Sequence, residues 1–479
     1  MAIRTSTLTR RELLLGTLGA AGLSAAMRTV RARADVPKPN IVFILADDLG
    51  YADIGCYGRP EHNTPNIDGL ARRGTRFTQA YANSAVCSAT RLALITGRYQ
   101  YRLRLGLEEP LASSTDIGLP PGHPTLPSLL KRLGYGTTLI GKWHLGALPK
   151  FGPLASGYDH FFGFRSGGID YYSHRDPFGH DDLWEDDVPI HRSAYATEMF
   201  GDRAVQVIDG FANSRKPFFL SLHFNAPHWP WEAPGDEAES RRLAGTPLFD
   251  FDGGTLRTYR RMVEALDMQV GRVLRALDAN RLSGNTVVVF TSDNGGERFS
   301  DTWPFSGQKT ELLEGGLRIP AIVVWPKHIP GGRVSEQMMM SMDWLPTLLA
   351  ATGGAPDPAY PPDGVSLLEH LTQGSTPIPR RFYWRYKSNH QRALRDGDYK
   401  YLKILDNTYL FDVVSDPLER ANLKDRMPEL YQRLVNEWQD WNRAMLPEVP
   451  ESTGSAVEGK RQADHIGAGP AELTPDIPD

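Results

Sequence analysis

Four continuous apolar runs each stop abruptly at charged or amide residues, and this repeated event narrows the architectures open to the chain. Asn40-Ile41-Val42-Phe43-Ile44-Leu45 ends at Ala46-Asp47-Asp48-Leu49-Gly50, and Thr286 to Phe290 ends at Thr291-Ser292-Asp293-Asn294-Gly295-Gly296. Between them, Tyr135 to Ile140 runs into Gly141-Lys142-Trp143-His144, and Pro217 to Leu222 into His223-Phe224-Asn225-Ala226-Pro227-His228. An apolar run without polar alternation is a strand covered on both faces, the habit of parallel sheets. Helical patterns fill the gaps. Thr125 to Leu133 is one, and Tyr259, Met262, Val263, Leu266, Val270, Val273, Leu274 and Leu277 recur with helical period before Ser283-Gly284-Asn285 leads into the last run. Helix, turn and buried strand in succession predict an α/β fold, with Ala321 to Trp325 as a further strand. Ligands of such sheets collect beyond the carboxyl ends of the strands, so the shared edge is the expected active site.

The residues at that edge suit a cation and an anion together. Taken alone, Asp47-Asp48 reads as a solvated acidic turn, and a histidine at a strand end as a satisfied structural residue. If the first and last runs are neighbours, however, Asp47, Asp48, Asp293 and Asn294 offer the oxygen set that a hard divalent ion prefers. Lys309, in the glycine-flanked stretch Gly307-Gln308-Lys309-Thr310, either meets an anion or is solvated.

One further stretch pairs a cysteine with an arginine: Cys87-Ser88-Ala89-Thr90-Arg91-Leu92-Ala93-Leu94-Ile95-Thr96-Gly97-Arg98. It reads as a buried helix start, with Cys87 and Arg91 one turn apart on one face and Cys87 at the electropositive end. This stretch resembles the signature of the sulfatase family, with Ala89 where proline is commoner and Thr90 where serine often stands. The likeness extends to Ala46-Asp47-Asp48-Leu49-Gly50, Gly141-Lys142-Trp143-His144-Leu145-Gly146, Ser292-Asp293-Asn294-Gly295, Glu314-Gly315-Gly316 with Arg318 and Pro320, and Leu410-Phe411-Asp412 with Asp416-Pro417. It implies an alkaline-phosphatase-like, mostly parallel sheet sandwiched by helices, with a smaller C-terminal α+β domain. It implies one calcium ion (Ca2+) held by Asp47, Asp48, Asp293, Asn294 and the modified Cys87, the cysteine having been oxidised to formylglycine by a maturation enzyme. It also implies catalytic or sulfate-binding roles for Arg91, Lys142, His144, His228 and Lys309. In that reading Arg91 and Lys142 orient the hydrated aldehyde, His144 is the general base, and His228 with Lys309 holds sulfate and protonates the leaving alcohol. The expected substrate is a sulfated carbohydrate or aryl alcohol. The competing readings are a phosphomonoester, phosphodiester or phosphonate hydrolase on the same scaffold, and a silent sulfated-glycan-binding protein.

Residues 1–34 are a separate object. Arg10-Arg11 precedes a Gly/Ala-rich apolar run, and Ala32-Arg33-Ala34 has the small-x-small pattern of a cleavage site. This reads as a twin-arginine signal peptide for periplasmic or secreted delivery; the alternative, a membrane anchor, has an apolar run too short to span well. Removing it takes six arginines and one glutamate and moves the formal charge from −4 to −9, which argues against nucleic acid as a partner. Two cysteines, Cys56 and Cys87, exclude a disulfide framework and leave one bridge between them as the structural alternative. The catalytic domain is expected over 35–378, with aromatic, His-rich loops from Phe151 to Ile190 offering Tyr171, Tyr172 and Trp184, alongside Trp229 and Trp231, as stacking candidates. Short strands at 381–384, 391–394, 399–403 and 409–412 and a helix from Pro428 make a small antiparallel domain over 379–446, followed by a flexible tail over 447–479.

Overall fold

A computed structural model describes residues 38–112, 115–245 and 253–455. The proposed signal peptide therefore lies outside the described residues, as does the tail beyond 455. The leading elements are β1 (Asn40–Ala46), α1 (Cys87–Thr96), β2 (Gly136–Lys142), α2 (Ala196–Ser214), β3 (Phe218–His223), α3 (Leu256–Ala279), β4 (Thr286–Ser292) and β5 (Ala321–Val324). All four apolar runs are strands of one ten-stranded sheet. β1 lies between β3 and β4, parallel to both, and β2 is parallel to β3 on its other side. β5 joins β4 antiparallel, so the sheet is mixed and mostly parallel at its centre.

Alternate residues of β1 feed two cores. Val42, Ile44 and Ala46 point into the cluster under α2 and α3, while Ile41, Phe43 and Leu45 point into the opposite one with Leu92 and Ile95 of α1 and the Trp344–Ala351 helix. Burial on both faces explains why the strand shows no alternation. The amphipathic α3 appears as its spacing predicts, and its N-cap Thr255 accepts from the Thr258 N–H.

Two features differ from the sequence expectation. The region from Phe151 to Ile190 is not wholly loop, because His160–Phe164 and the hairpin Trp184–Glu185/Val188–Pro189 extend the large sheet. Gly163 interrupts the apolar run, and the hairpin strands are only two residues long, so neither gives a periodic signal. The 19-residue helix α2 was also not anticipated.

The C-terminal strands β6 (Arg381–Tyr386), β7 (Gln391–Asp396), β8 (Tyr399–Ile404) and β9 (Asn407–Asp412) form an antiparallel four-stranded sheet in sequence order. Helix α4 (Pro428–Arg443) covers one face through Leu434 and Trp438. The other face presents Phe382, Trp384 and Ala393 to a cluster containing Val86, Ala89 and Ala93, so the small sheet backs the helix that carries Cys87. Residues 449–455 of the segment expected to be flexible are fastened: the Lys387 Nζ donates to the Val449 and Pro450 carbonyls, and the Glu109 N–H donates to the Thr453 carbonyl. No helix among the described residues is long and apolar enough to cross a membrane.

Candidate active site

Register places the acidic residues. Ala46 of β1 pairs with Ser292 of β4, so Asp47-Asp48 and Asp293-Asn294 leave the sheet side by side. The Asp48 N–H donates to Asp293 Oδ1 at 3.2 Å, and Asn294 Nδ2 donates to Asp48 Oδ1 at 2.7 Å. Ser292 Oγ accepts from the Leu49 N–H at 3.0 Å and donates to the Asn294 carbonyl, tying the two turns together. Asp48 and His144 adopt positive φ of 61° and 58°, a conformation that side chains other than glycine seldom take and that clusters at functional sites.

Cations from three other elements enter this cluster. Arg91, one turn after Cys87 in α1, lies with Nη2 2.8 Å from Asp293 Oδ2 and 3.6 Å from Asp47 Oδ1. Lys142, the last residue of β2, places Nζ 2.7 Å from Asp47 Oδ2. Lys309 reaches Asp48 Oδ2 at 2.6 Å and Glu297 Oε2 at 3.3 Å. His228 Nε2 is 3.5 Å from Asp48 Oδ2, and its Nδ1 is bonded to the Trp229 carbonyl at 2.6 Å. His144 Nε2 bonds to the Leu111 carbonyl at 2.9 Å, and its buried Nδ1 has no partner. Gly167 and Gly168 back the two imidazoles: a methyl at Gly167 would sit 2.9 Å from the His144 ring, and one at Gly168 3.1 Å from the His228 ring.

Burial governs the electrostatics. It pushes the Cys87 thiol up, against the pull of Lys142, so unmodified Cys87 is a neutral thiol and a weak nucleophile. The Asp47 carboxyl is raised well above its ordinary range by burial, which Lys142 only partly offsets. For Asp48 burial acts the same way but is outweighed by Lys309, His228 and Lys142, which hold the carboxyl below its usual range. Both catalytic candidates among the histidines are held well below the ordinary imidazole range, first by burial and then by Lys142 for His144 and Lys309 for His228. Lys309 is raised, burial being outweighed by Asp48 and Glu297.

The donor set fits a hard cation. Ligand atoms of Asp47, Cys87 and Asp293 all lie within 4.8 Å of one another, as do those of Asp47, Asp48 and His228. Asp47 Oδ1 and Asn294 Oδ1 are buried with no hydrogen-bond partner, a costly state that an oxygen-seeking ion relieves.

The structure thus gathers Asp47, Asp48, Cys87, Arg91, Lys142, His228, Asp293, Asn294 and Lys309, with His144 close enough to feel the Lys142 and Arg91 charges. Neither cysteine is in a disulfide. Of the stacking candidates, Tyr171 and Trp231 are core residues, Tyr172 is tied to the Ala233 carbonyl, Trp229 packs against His228, and Trp184 lines a cavity beside His144. Two residues at the site were not singled out from the sequence. Glu297, three residues past Asn294, pairs with Lys309; its acid-after-glycine position was the available signal. His223, at the end of β3, sits between Ser221 Oγ and the Lys142 carbonyl, 3.4 Å from Arg91 Nη1, a role set by tertiary packing alone.

A family model described as Sulfatase matches residues 39–355, and one described as N-sulphoglucosamine sulphohydrolase, C-terminal, matches 307–443. The N-acetylgalactosamine-6-sulfatase of Sus scrofa is 35% identical over 418 residues, covering 82% of this chain and 75% of its own. Arylsulfatase A of Homo sapiens is 31% identical over 493 residues, covering 94% and 90%. The crystal structure of Ps i-CgsB in complex with k-i-k-neocarrahexaose aligns with a TM-score of 0.77 at 30% identity, covering 90% of this chain and 98% of that one.

Proposed function

The chain belongs to the sulfatase family and is a sulfuric ester hydrolase, and on that basis we propose that it cleaves sulfate monoesters of a carbohydrate or aryl alcohol through a formylglycine made from Cys87, with one calcium ion in the site. The observation that carries the reading is the approach of Cys87 to Asp47 and Asp293 within 4.8 Å, beside two buried oxygens that lack partners.

Asp47, Asp48, Asp293 and Asn294, with an oxygen from the modified residue 87, would hold the ion, which supplies positive charge against the sulfate oxygens. The hydrated aldehyde at residue 87 would supply a nucleophilic hydroxyl for sulfur, with the ester alcohol as the group displaced, and a second hydroxyl whose deprotonation would let sulfate depart and the aldehyde return. Arg91, braced by Asp293, and Lys142, braced by Asp47, orient residue 87. The Leu111 carbonyl takes the Nε2–H of His144, which leaves Nδ1 as the basic nitrogen, and burial keeps the ring neutral and able to accept a proton. His228 and Lys309 bind the sulfate. A substrate anion beside His228 Nε2 favours its protonated form, which then serves the leaving alcohol.

Residues 1–34 are assigned as a twin-arginine export signal to the periplasm or exterior, 35–378 as the catalytic domain, 379–446 as the small C-terminal domain and 447–479 as the tail. Peptide mass spectrometry tests the nucleophile: the peptide containing residue 87 is expected to be about 18 Da lighter than its cysteine form. An unmodified mass in active protein would refute the reading.

A further inference from the structure

A cavity of about 240 Å³ opens beside His144, lined among others by Leu111, Arg165, His180, Asp181 and Trp184. It is smaller than the roughly 300 Å³ at which drug-sized pockets begin, so it has room for one ring rather than several. Arg165 is the unusual feature of its wall. Its side chain is 5% exposed, and its guanidinium lies 4.0 Å from the Trp184 ring centroid. Nη2 is occupied by Asp187 Oδ1 and the Asp186 carbonyl, each at 2.9 Å, whereas Nε and Nη1 are buried without a hydrogen-bond partner. Two unmet donors on a buried cation are costly unless a ligand supplies acceptors.

This wall is built rather than incidental. The Asp182 carboxylate accepts from the Arg165 and Ser166 N–H groups at 3.2 and 2.8 Å and from Trp184 Nε1 at 2.7 Å, which locks guanidinium and indole to each other. Charge selects the ligand. Arg165 is paired with Asp187, and Asp176, Asp181 and Asp182 line the same cavity, so the pocket is not a field for a second anion. Its carboxylates are engaged: Asp182 as described, Asp176 with the Phe178 and His180 N–H groups, and Asp181 with Arg175. The unmet need is for neutral acceptors.

We infer that this cavity is a substrate subsite next to His144 and takes a single uncharged sugar ring, with Arg165 donating from Nε and Nη1 to its hydroxyl or ring oxygens. The inference rests on the sulfatase reading and narrows its substrate to a neutral sugar monosulfate. Arg165 is then a specificity-determining residue, since a sugar ring offers it several hydroxyl acceptors whereas 4-nitrophenyl sulfate offers, beyond the ester, only the weakly accepting nitro oxygens.

The test compares Arg165→Lys, which keeps the pairing charge for Asp187, and Arg165→Ala with the parent enzyme. The substrates are a neutral hexose monosulfate identified from a panel, the same hexose carrying an added carboxylate or second sulfate, and 4-nitrophenyl sulfate. For both variants the kcat/KM ratio of hexose sulfate to aryl sulfate is expected to fall about ten- to hundredfold, carried mainly by KM, with Arg165→Lys retaining the parental melting temperature. Equal loss on both substrates would make Arg165 a structural brace and overturn the proposal. Parental preference for the doubly charged sugar, lost in Arg165→Lys, would overturn it in favour of an anion subsite. Absence of turnover on every sulfate ester by parent enzyme carrying the residue 87 modification would instead strike the sulfatase reading, and the subsite with it.

Discussion

Cys87 occupies the first position of a helix whose ten residues are all buried, and burial there raises its thiol pKa, which disfavours the thiolate and accords with the proposed modification. Cys87→Ala is expected to abolish sulfate release while leaving the melting temperature within a few degrees, because the side chain removed is small; residual turnover in a sulfate-release assay would contradict the assigned nucleophile. Gly167→Ala places a methyl 2.9 Å from the His144 ring, tighter than real contacts allow, and Gly167 has no positive φ to strain the backbone. The imidazole must yield, and kcat should fall at least about tenfold with little change in stability. An unchanged kcat would remove His144 from the reaction. At this scale the sequence was informative wherever a short motif carries the residue: Asp47, Asp48, Asp293 and Asn294 meet as their strand ends suggested. Glu297 carries only its acid-after-glycine position and His223 only its strand-end position, and what they touch is decided by chains arriving from elsewhere.

Elements were legible in proportion to their periodicity. The amphipathic α3 and the continuous runs of β1 to β4 announce themselves, and the four C-terminal strands follow their turns. Helix α1 begins at Cys87, where the sequence reads as a buried helix start; buried on every side, it has no polar face, and its capping glycine Gly97, at φ 69°, marks its end. The strap of residues 449–455 has no apolar pattern at all, being held by carbonyls on Lys387 and by contacts to Glu109. Burial raises the Glu109 carboxyl from 4.5 to about 8, against the Lys387 N–H that donates to it at 2.6 Å. The folded protein therefore keeps a proton that the unfolded chain releases above its lower value. Stability from this group is full below about pH 4.5 and declines by up to about 1.4 kcal/mol per unit as pH rises towards 8. Glu109→Gln should flatten that decline in a series of urea melts; an equally steep decline would show that Glu109 does not hold the proton.

The whole molecule is joined through buried charge as well as apolar packing. Glu314 receives Lys400 of β8 at 3.0 Å and Arg318 at 2.6 Å, with the Tyr81 hydroxyl also donating to it, and Lys400 reaches Glu419 at 2.9 Å. This network ties the small sheet to the segment that carries Lys309. Glu314→Gln leaves Lys400 and Arg318 under-compensated and should cost about 3–5 kcal/mol in equilibrium unfolding; a change under about 1 kcal/mol would mean the network contributes no cohesion. If the proposed calcium ion is bound, chelation should lower the melting temperature and calcium should restore it, because an ion would relieve the unpartnered oxygens of Asp47 and Asn294 at the ends of β1 and β4. The account turns on sulfate-ester hydrolysis at residue 87. The most direct measurement is the rate of nitrophenol release from 4-nitrophenyl sulfate and 4-nitrophenyl phosphate by one preparation, alongside its Cys87→Ala variant. The expected result is a sulfate rate at least about a hundredfold above the phosphate rate and none from the variant. Phosphate turned over as fast as sulfate, or a variant as active as its parent, would contradict it.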